Sequence, residues 1–130
     1  MKPTKYRAKK TAVDGRMFDS KAEAEYAMKL KTELSLGNIC DLVYQPRFTL
    51  QEAFRDNCNR LNRKVEYVAD FSFIEVANFV HVVVDVKGFL TADYKLKSKW
   101  FRKLNPEIVH REIKNGKDLL THKPKKRKGK

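Results

Sequence analysis

Two acidic residues lie in segments that otherwise have the composition of buried β-strands. Asp70 is in the middle of an alternating apolar run, and Asp85 ends the most apolar run of the chain, residues 80–85. A carboxylate next to an apolar core has to be paired or bound to a cation, because desolvation of an unpaired charge is unfavourable. Lys87 follows two residues after Asp85 and would share its strand face. These residue types indicate a site that holds a cation.

The spacing also predicts that the two carboxylates lie close together. If the strands form an antiparallel pair through the connection 76–78, position 70 is opposite 84 to 86. Carboxylates at that separation repel, and each raises the pKa of the other unless a cation intervenes. Hard oxygen ligands favour Mg²⁺ or Mn²⁺. With Lys87 orienting a water and stabilising charge on a phosphoryl oxygen, the predicted chemistry is phosphodiester hydrolysis. A surface ion pair between Asp and Lys is the simpler alternative.

Glu23 is a third candidate carboxylate, with two roles open. Ser20-x-x-Glu23 is a capping box at a helix start, which would by itself explain the glutamate. Glu23 also begins the helix face that we expect to pack on the sheet, continued by Ala27, Leu30 and Leu34. From that position it would point towards the cation.

The elements that must position these residues follow from periodicity, caps and turn signals. A helix is predicted from Ser20 to about Leu36, ended by Gly37, and a second from an N-cap at Asp93 to about Leu104. Strands are predicted at about 40–51, 64–75, 79–87 and 107–113, with a hairpin at 11–18 around Asp14-Gly15 and an exposed loop at 55–63. The fold class is α/β (α+β), in the order αβββαβ.

Alternation in the second strand predicts two faces. We expect one face to contain Val65, Tyr67, Ala69, Phe71 and Phe73, and the other Glu66, Val68, Asp70 and Ser72. In the second helix, Leu96, Trp100, Phe101 and Leu104 are expected to pack. The histidines, His81, His110 and His122, are scattered and are interpreted as structural or solvated.

The charge is concentrated at the two ends. The net charge is +13, and residues 1–10 and 123–130 contain five and six basic residues without an acidic one. Such a distribution favours sequence-independent contact with phosphates, although a solubilising tail remains an alternative. We predict a basic arm at 1–10, one domain at 11–121 and a basic, disordered tail at 122–130. The predicted DNA contacts are Lys95, Lys97, Lys99, Arg102 and Lys103 of the second helix, and Lys9, Lys10, Lys125, Lys126, Arg127 and Lys128 of the arms.

At this level of detail the chain resembles the PD-(D/E)XK nuclease superfamily. More narrowly, Phe18-Asp-Ser-Lys-x-Glu23, Tyr44-Gln-Pro46, Tyr67-x-Ala-Asp-Phe71 and Asp85-Val-Lys-Gly88 resemble small basic phage-encoded nucleases, some of them Holliday junction resolvases. The resemblance implies a restriction-endonuclease-like core with a central mixed sheet flanked by helices.

The resemblance also implies roles for single residues. Asp70, Asp85 and the backbone carbonyl of Val86 would be metal ligands, Lys87 the catalytic lysine, and Glu23 a further ligand or a water-positioning carboxylate. Gln45 matches a position where related nucleases often have a polar active-site residue. Ala69 occupies the place of the motif's proline, which is structural, so this departure removes no catalytic group.

The expected function is a Mg²⁺- or Mn²⁺-dependent Holliday junction resolvase that acts as a homodimer on four-way or other branched DNA, because a two-fold substrate suits a two-fold enzyme. The alternatives are a nuclease for other branched, nicked or duplex DNA, restriction-like or end-processing, and a non-catalytic DNA-binding protein. No signal peptide or membrane span is predicted, and we expect a phage-encoded protein in the bacterial host cytoplasm, with no membrane partner.

Overall fold

The computed structural model describes residues 11–13, 16–18, 20–114 and 117–118, with side chains for 20–114. The basic residues predicted at the ends, Lys9, Lys10, Lys125, Lys126, Arg127 and Lys128, lie outside the described residues, as does the Asp14-Gly15 turn.

The described part of the chain contains two helices and eleven mostly short strands. The helices are α1 (Lys21–Ser35) and α2 (Ala92–Leu104). The strands are β1 (Thr11–Val13), β2 (Arg16–Phe18), β3 (Ile39–Tyr44), β4 (Arg47–Gln51), β5 (Phe54–Arg55), β6 (Leu61–Asn62), β7 (Val65–Val68), β8 (Phe71–Glu75), β9 (Val80–Val86), β10 (Val109–Lys114) and β11 (Lys117–Asp118).

The central sheet is mixed and has the order β11-β10-β9-β8-β3. Strand β8 is antiparallel to both β3 and β9, whereas β9 and β10 are parallel. Parallel neighbours need a crossover connection, and α2 lies within the one between β9 and β10. The predicted α+β class, with a central mixed sheet and two helices, is confirmed.

The first helix begins and ends as predicted. The Oγ of Ser20 accepts a hydrogen bond from the backbone N–H of Glu23 at 3.1 Å, and the helix ends at Ser35, with Leu36 as its C-cap before Gly37 with φ +79°. Its buried residues are Glu23, Ala24, Ala27 and Leu30. Leu34, which was expected on the same face, is instead 41% exposed, so the buried face of the helix ends at Leu30.

Two of the predicted strands are each broken in the middle, and the breaks are adjacent. Gln45 has φ +53° and donates its backbone N–H to the carbonyl of Asp70 at 2.9 Å, and Ala69 donates to the carbonyl of Pro46 at 3.1 Å. Before the break β3 pairs with β8, and after it β4 pairs with β7 as a separate two-stranded ribbon. The prediction that residues 40–51 and 64–75 each form one uninterrupted strand is therefore wrong.

The break also changes which residues share a face. Phe71 and Phe73 pack with α1 in one core, whereas Tyr67 and Ala69 pack with Phe101 of α2 in a second core. The prediction that all four lie on one face is wrong, because the alternation does not continue through the junction at residues 69–70. Strand β9 is buried on both faces, since Val82 and Val84 belong to the first core and Val83 to the second.

The second helix begins earlier than predicted. Its N-cap is Thr91, whose Oγ1 accepts the N–H of Tyr94 at 3.0 Å, so the prediction of an Asp93 cap is wrong. Phe101 is buried, whereas Leu96 and Leu104 are 57% and 49% exposed, contrary to the predicted packing face.

The remaining predictions concern loops and connections. Residues 11–18 contain the predicted hairpin pairing, and residues 55–63 include part of the short pair β5 and β6 rather than loop alone. Neither described helix combines the length and apolar character required to cross a bilayer.

Candidate active site

Asp70 and Asp85 lie opposite each other across the β8 and β9 ladder, as the sequence predicted. The register pairs Phe71 with Val84, and the backbone N–H of Asp70 donates to the carbonyl of Val84 at 3.1 Å. Asp70 comes at the junction between β7 and β8, and Asp85 comes one residue before the end of β9. The site is thus built where the central sheet gives way to the ribbon.

The two carboxylate oxygens of Asp85 have very different surroundings. The residue is fully buried, and Oδ2 accepts hydrogen bonds from the hydroxyl of Tyr67 and from Nε2 of His110 at 2.9 Å. The hydroxyl oxygen of Tyr94 lies 3.4 Å from the same Oδ2. Oδ1 has no hydrogen-bond partner among the residues that the structure describes. Nζ of Lys87 lies 3.6 Å from that oxygen.

Asp70 is held by the backbone of the neighbouring strand. Its Oδ2 accepts the backbone N–H of Val86 at 2.7 Å and lies 4.0 Å from Nζ of Lys87. The side chain therefore points along the end of β9 and towards the lysine. Val86, whose carbonyl is a predicted metal ligand, ends the strand beside both carboxylates.

Lys87 has its ammonium group between the two aspartates. Its Nζ is also 4.9 Å from the ring centroid of Tyr94, a cation–π distance. Burial lowers the pKa of Lys87, but the charges of Asp70, Asp85 and Glu23 outweigh it, so that the pKa lies above its ordinary value. The lysine is a permanent cation at neutral pH.

Glu23 reaches the site from α1. The residue is 5% exposed, and its carboxylate is among the charges that raise the pKa of Lys87. Its backbone N–H is the one bound by the Ser20 cap. The position created by the cap thus brings the carboxylate into the electrostatic field of the site, so that both roles considered from the sequence are compatible.

Gln45 is placed differently from the other candidates. Its side chain is exposed, and it contributes through its backbone, which bonds to the carbonyl of Asp70 in a left-handed conformation. The structure gives Gln45 a role in shaping the strand junction.

Four residues of the site were missed by the sequence interpretation: Tyr67, Tyr94, His110 and Glu112. His110 and Glu112 are buried on β10, and Glu112 pairs in register with Asp85. Its Oε1 accepts the hydroxyl of Tyr94 at 2.7 Å. Burial together with the carboxylates of Asp85 and Glu112 raises the pKa of Tyr94 well above its ordinary value, so the phenol keeps its proton. The sequence signal that could have indicated His110 and Glu112 is their spacing, because polar residues two apart in a short strand share one face.

The basic residues of α2 fall into two groups. Lys95, Lys99 and Lys103 are exposed. Lys97 is 3.5 Å from Asp93, and Nη1 of Arg102 is 3.2 Å from Nδ1 of His110. Arg102, predicted to contact DNA, is therefore half-buried and engaged with the interior network.

The donor set suits a hard divalent cation at its aspartates. Within the described residues no three His, Cys, Asp or Glu side chains are grouped closely enough to form a ready metal site. The buried, unpartnered Oδ1 of Asp85 is nevertheless the kind of oxygen that a cation satisfies. In the geometry described here the ammonium of Lys87 partly neutralises the pair, and a divalent ion would use the same oxygens.

One comparison with known proteins gives a match. A family model described as "Protein of unknown function (DUF1064)" matches residues 3–119. No curated protein matches the chain.

Proposed function

The chain belongs to DUF1064, a family of proteins of unknown function, and we propose that it is a divalent-metal-dependent DNA endonuclease of the PD-(D/E)XK type. The observation that supports this most strongly is the asymmetric, fully buried carboxylate of Asp85. One of its oxygens is saturated by donors, and the other is left to the cation side of the site, next to Lys87 and opposite Asp70.

The metal ligands in this proposal are Oδ1 of Asp85, the carboxylate of Asp70 and the carbonyl of Val86, with Glu23 as a further ligand or a water-positioning group. When bound, Mg²⁺ or Mn²⁺ supplies Lewis-acid activation of water and of the scissile phosphate. The carboxylates provide the negative charge that retains the cation, and their fixed strand positions reduce the reorganisation required during reaction.

Lys87 supplies the fixed positive charge of the site. Beside the carboxylates of Asp70 and Asp85 its pKa lies above the ordinary value, and its ammonium group would stabilise negative charge on a phosphoryl oxygen. Contact with the Tyr94 ring and with both aspartates limits its mobility.

The substrate class follows from charge and size. A net charge of +13 favours a polyanion, and the exposed Lys95, Lys99 and Lys103 begin next to Tyr94, at the site itself. A domain this small recognises DNA shape more readily than a long sequence. We propose four-way junctions as the substrate and a homodimer as the active species, making paired nicks. Cys40 and Cys58 are free thiols, which suits action in the bacterial cytoplasm, and a phage origin belongs to the same proposal.

Cleavage of a substrate panel tests this proposal. The full chain is incubated with a labelled four-way junction, a flap, a nicked duplex and a plain duplex, each with Mg²⁺ or with EDTA. We expect Mg²⁺-dependent cleavage that is at least about 10-fold faster for the junction than for the other substrates. This ratio corresponds to a difference of about 1.4 kcal/mol in activation free energy. Equal cleavage of all four substrates would overturn the junction assignment and leave the nuclease assignment intact.

Matched variants test the site. Asp70→Asn and Lys87→Ala are expected to reduce the rate by about 10²–10³-fold, as for loss of a group that stabilises transition-state charge. Asp93→Asn and Lys64→Ala change the same residue types on exposed surface and should leave the rate within about 2-fold. Undiminished cleavage by the first pair would show that the chemistry lies elsewhere.

A non-catalytic DNA-binding protein is the second candidate. The observation that favours it is the Lys87 ammonium, which already neutralises part of the carboxylate charge without a metal. In that case the chain binds junctions in the panel, cuts none of them, and binds equally well with EDTA.

A further inference from the structure

We propose that Tyr67 and His110 are positioning residues that hold Asp85 as a single-oxygen metal ligand and thereby favour small octahedral cations over Ca²⁺. The inference rests on the proposed function, because it concerns the metal site assigned there. It adds a selectivity mechanism that involves residues outside the ligand set.

The hydrogen-bond geometry fixes the tautomer of His110. Nη1 of Arg102 lies 3.2 Å from Nδ1 of this buried histidine. A guanidinium only donates hydrogen bonds, so Nδ1 has to accept, and the ring proton is on Nε2. Nε2 is 2.9 Å from Oδ2 of Asp85 and 2.9 Å from the hydroxyl of Tyr67. His110 thus directs its Nε2 proton at Oδ2 of Asp85.

Tyr67 completes the arrangement. Its hydroxyl donates its proton to Oδ2 of Asp85, and its hydroxyl oxygen shares the single Nε2 proton of His110 with that same Oδ2. Its ring is fully buried, with the ring centroids of Tyr67 and Phe101 4.9 Å apart. Packing therefore fixes the hydroxyl, since the phenol cannot rotate away without opening the second core.

The consequence for a metal is geometric. Oδ2 of Asp85 is surrounded by Tyr67, His110 and the more distant Tyr94, whereas Oδ1 has no hydrogen-bond partner among residues 20–114. A cation can reach Asp85 through Oδ1 alone. Mg²⁺ and Mn²⁺ are well served by single carboxylate oxygens in octahedral sites, whereas Ca²⁺ takes more ligands and often binds carboxylates through both oxygens.

The test measures cation binding without DNA. Dissociation constants for Mn²⁺ and Ca²⁺ are determined by calorimetry for the full-length wild type, Tyr67→Phe, His110→Leu and His110→Gln. Loss of an outer-shell partner typically weakens metal binding about 10–100-fold, so we expect a Mn²⁺ loss of that order in Tyr67→Phe and His110→Leu. The affinity for Ca²⁺ should fall by a smaller factor, so that the two dissociation constants become more similar. His110→Gln can still donate to Oδ2 and should retain Mn²⁺ affinity within about 3-fold, since the amide N–H of glutamine replaces the ring N–H as the donor.

The controls separate positioning from general damage. His81→Leu removes a half-buried histidine on the same strand as Asp85, and Tyr26→Phe removes a hydroxyl on α1. Both should bind Mn²⁺ as the wild type does. Circular dichroism checks that every variant is folded. If His110→Leu does not fold, Tyr67→Phe still tests the proposal, because it keeps the buried ring and removes only the hydroxyl.

The outcomes distinguish this inference from the proposed function. If the wild type binds no Mn²⁺, the metal site itself is wrong, and the inference fails with it. If the wild type binds Mn²⁺ and Asp85→Ala does not, yet Tyr67→Phe keeps wild-type affinity and selectivity, the inference alone is wrong. An equal loss of Mn²⁺ affinity in His110→Gln and His110→Leu would also overturn it, because packing of the imidazole ring, and not its hydrogen bond, would then be the important property.

Discussion

The two oxygens of Asp85 illustrate how much a single side chain depends on its neighbours. A buried carboxylate is tolerated when its lone pairs are satisfied, and here Tyr67 and His110 satisfy one oxygen while the other faces Lys87. Had both oxygens been bound by donors, the residue would read as structural. The oxygen Oδ1, which has no hydrogen-bond partner among the described residues, is the feature that suggests a functional role for Asp85.

Glu23 allows its two roles to be separated experimentally. Glu23→Gln keeps the shape of the side chain but removes the charge near Lys87, so we expect cleavage reduced by about 10-fold or more and a loss of unfolding free energy of about 1 kcal/mol or less. Ser20→Ala removes the N-cap hydroxyl and should cost about 1 kcal/mol with little change in the cleavage rate of folded protein.

Urea unfolding and single-turnover cleavage measure the two effects for Glu23. A Glu23→Gln variant that loses stability but keeps its cleavage rate would mean that the glutamate is only a cap.

At the level of elements, the kink that interrupts two strands is what assembles the site. The backbone bond between Gln45 and Asp70 lies at the point where pairing changes from β8 with β3 to β7 with β4. The kink turns Tyr67 towards α2 while Phe71 faces α1. Without it, Tyr67 could not be on the same side as Asp85.

The left-handed backbone of Gln45 leads to a prediction about that kink. Gln45→Gly should be close to neutral, because relief of the positive φ offsets the greater freedom of glycine in the unfolded chain. Gln45→Val should cost about 1–2 kcal/mol, since a β-branched residue is poorly accommodated there. Denaturant unfolding gives both values, and equal stability of the two variants would contradict a conformational role.

The start of α2 provides a second element-level prediction. Thr91→Ala should destabilise the protein by about 1 kcal/mol, because Thr91 caps the helix. Asp93→Ala should stay within about 0.5 kcal/mol of wild type, since the better helix propensity of alanine offsets the lost pair with Lys97. The reverse order in thermal unfolding would restore Asp93 as the cap.

At the scale of the whole molecule, α1 covers one face of the sheet, and α2 and the β4–β7 ribbon cover the other. The first turn of α2 contains Tyr94, which contacts Lys87 and Asp85. The exposed lysines Lys95, Lys99 and Lys103 therefore extend away from the site along one helix. This arrangement is suited to a DNA backbone that enters the site along α2.

The salt dependence of DNA binding tests this placement of charge. Each neutralised phosphate contributes about 0.9 to the slope of log affinity against log salt. Changing Lys95, Lys99 and Lys103 to glutamine should reduce the slope by about 2–3. The same change at Lys21, Lys29 and Lys31 of α1, which alters net charge equally, should reduce it by less than about 1. Equal effects would mean that α2 is not the DNA-facing helix.

The sequence alone was sufficient for features that depend on local patterns. The Ser20 cap and the Gly37 stop fixed α1, and the short connection at 76–78 fixed the register that places Asp70 opposite Asp85. A helix cap, a helix stop and a short connection depend only on residues that are neighbours in the chain. These predictions therefore required no knowledge of distant contacts.

Only the tertiary structure decided what surrounds Asp85. Tyr67, Arg102 and His110 come from β7, α2 and β10, and no local pattern relates them. The parallel pairing of β9 with β10 depends on a crossover through α2, and the kink at residues 45 and 70 depends on two distant segments meeting. The sequence thus identified the carboxylates and the lysine, whereas long-range packing determined which oxygen of Asp85 lacks a hydrogen-bond partner among the described residues.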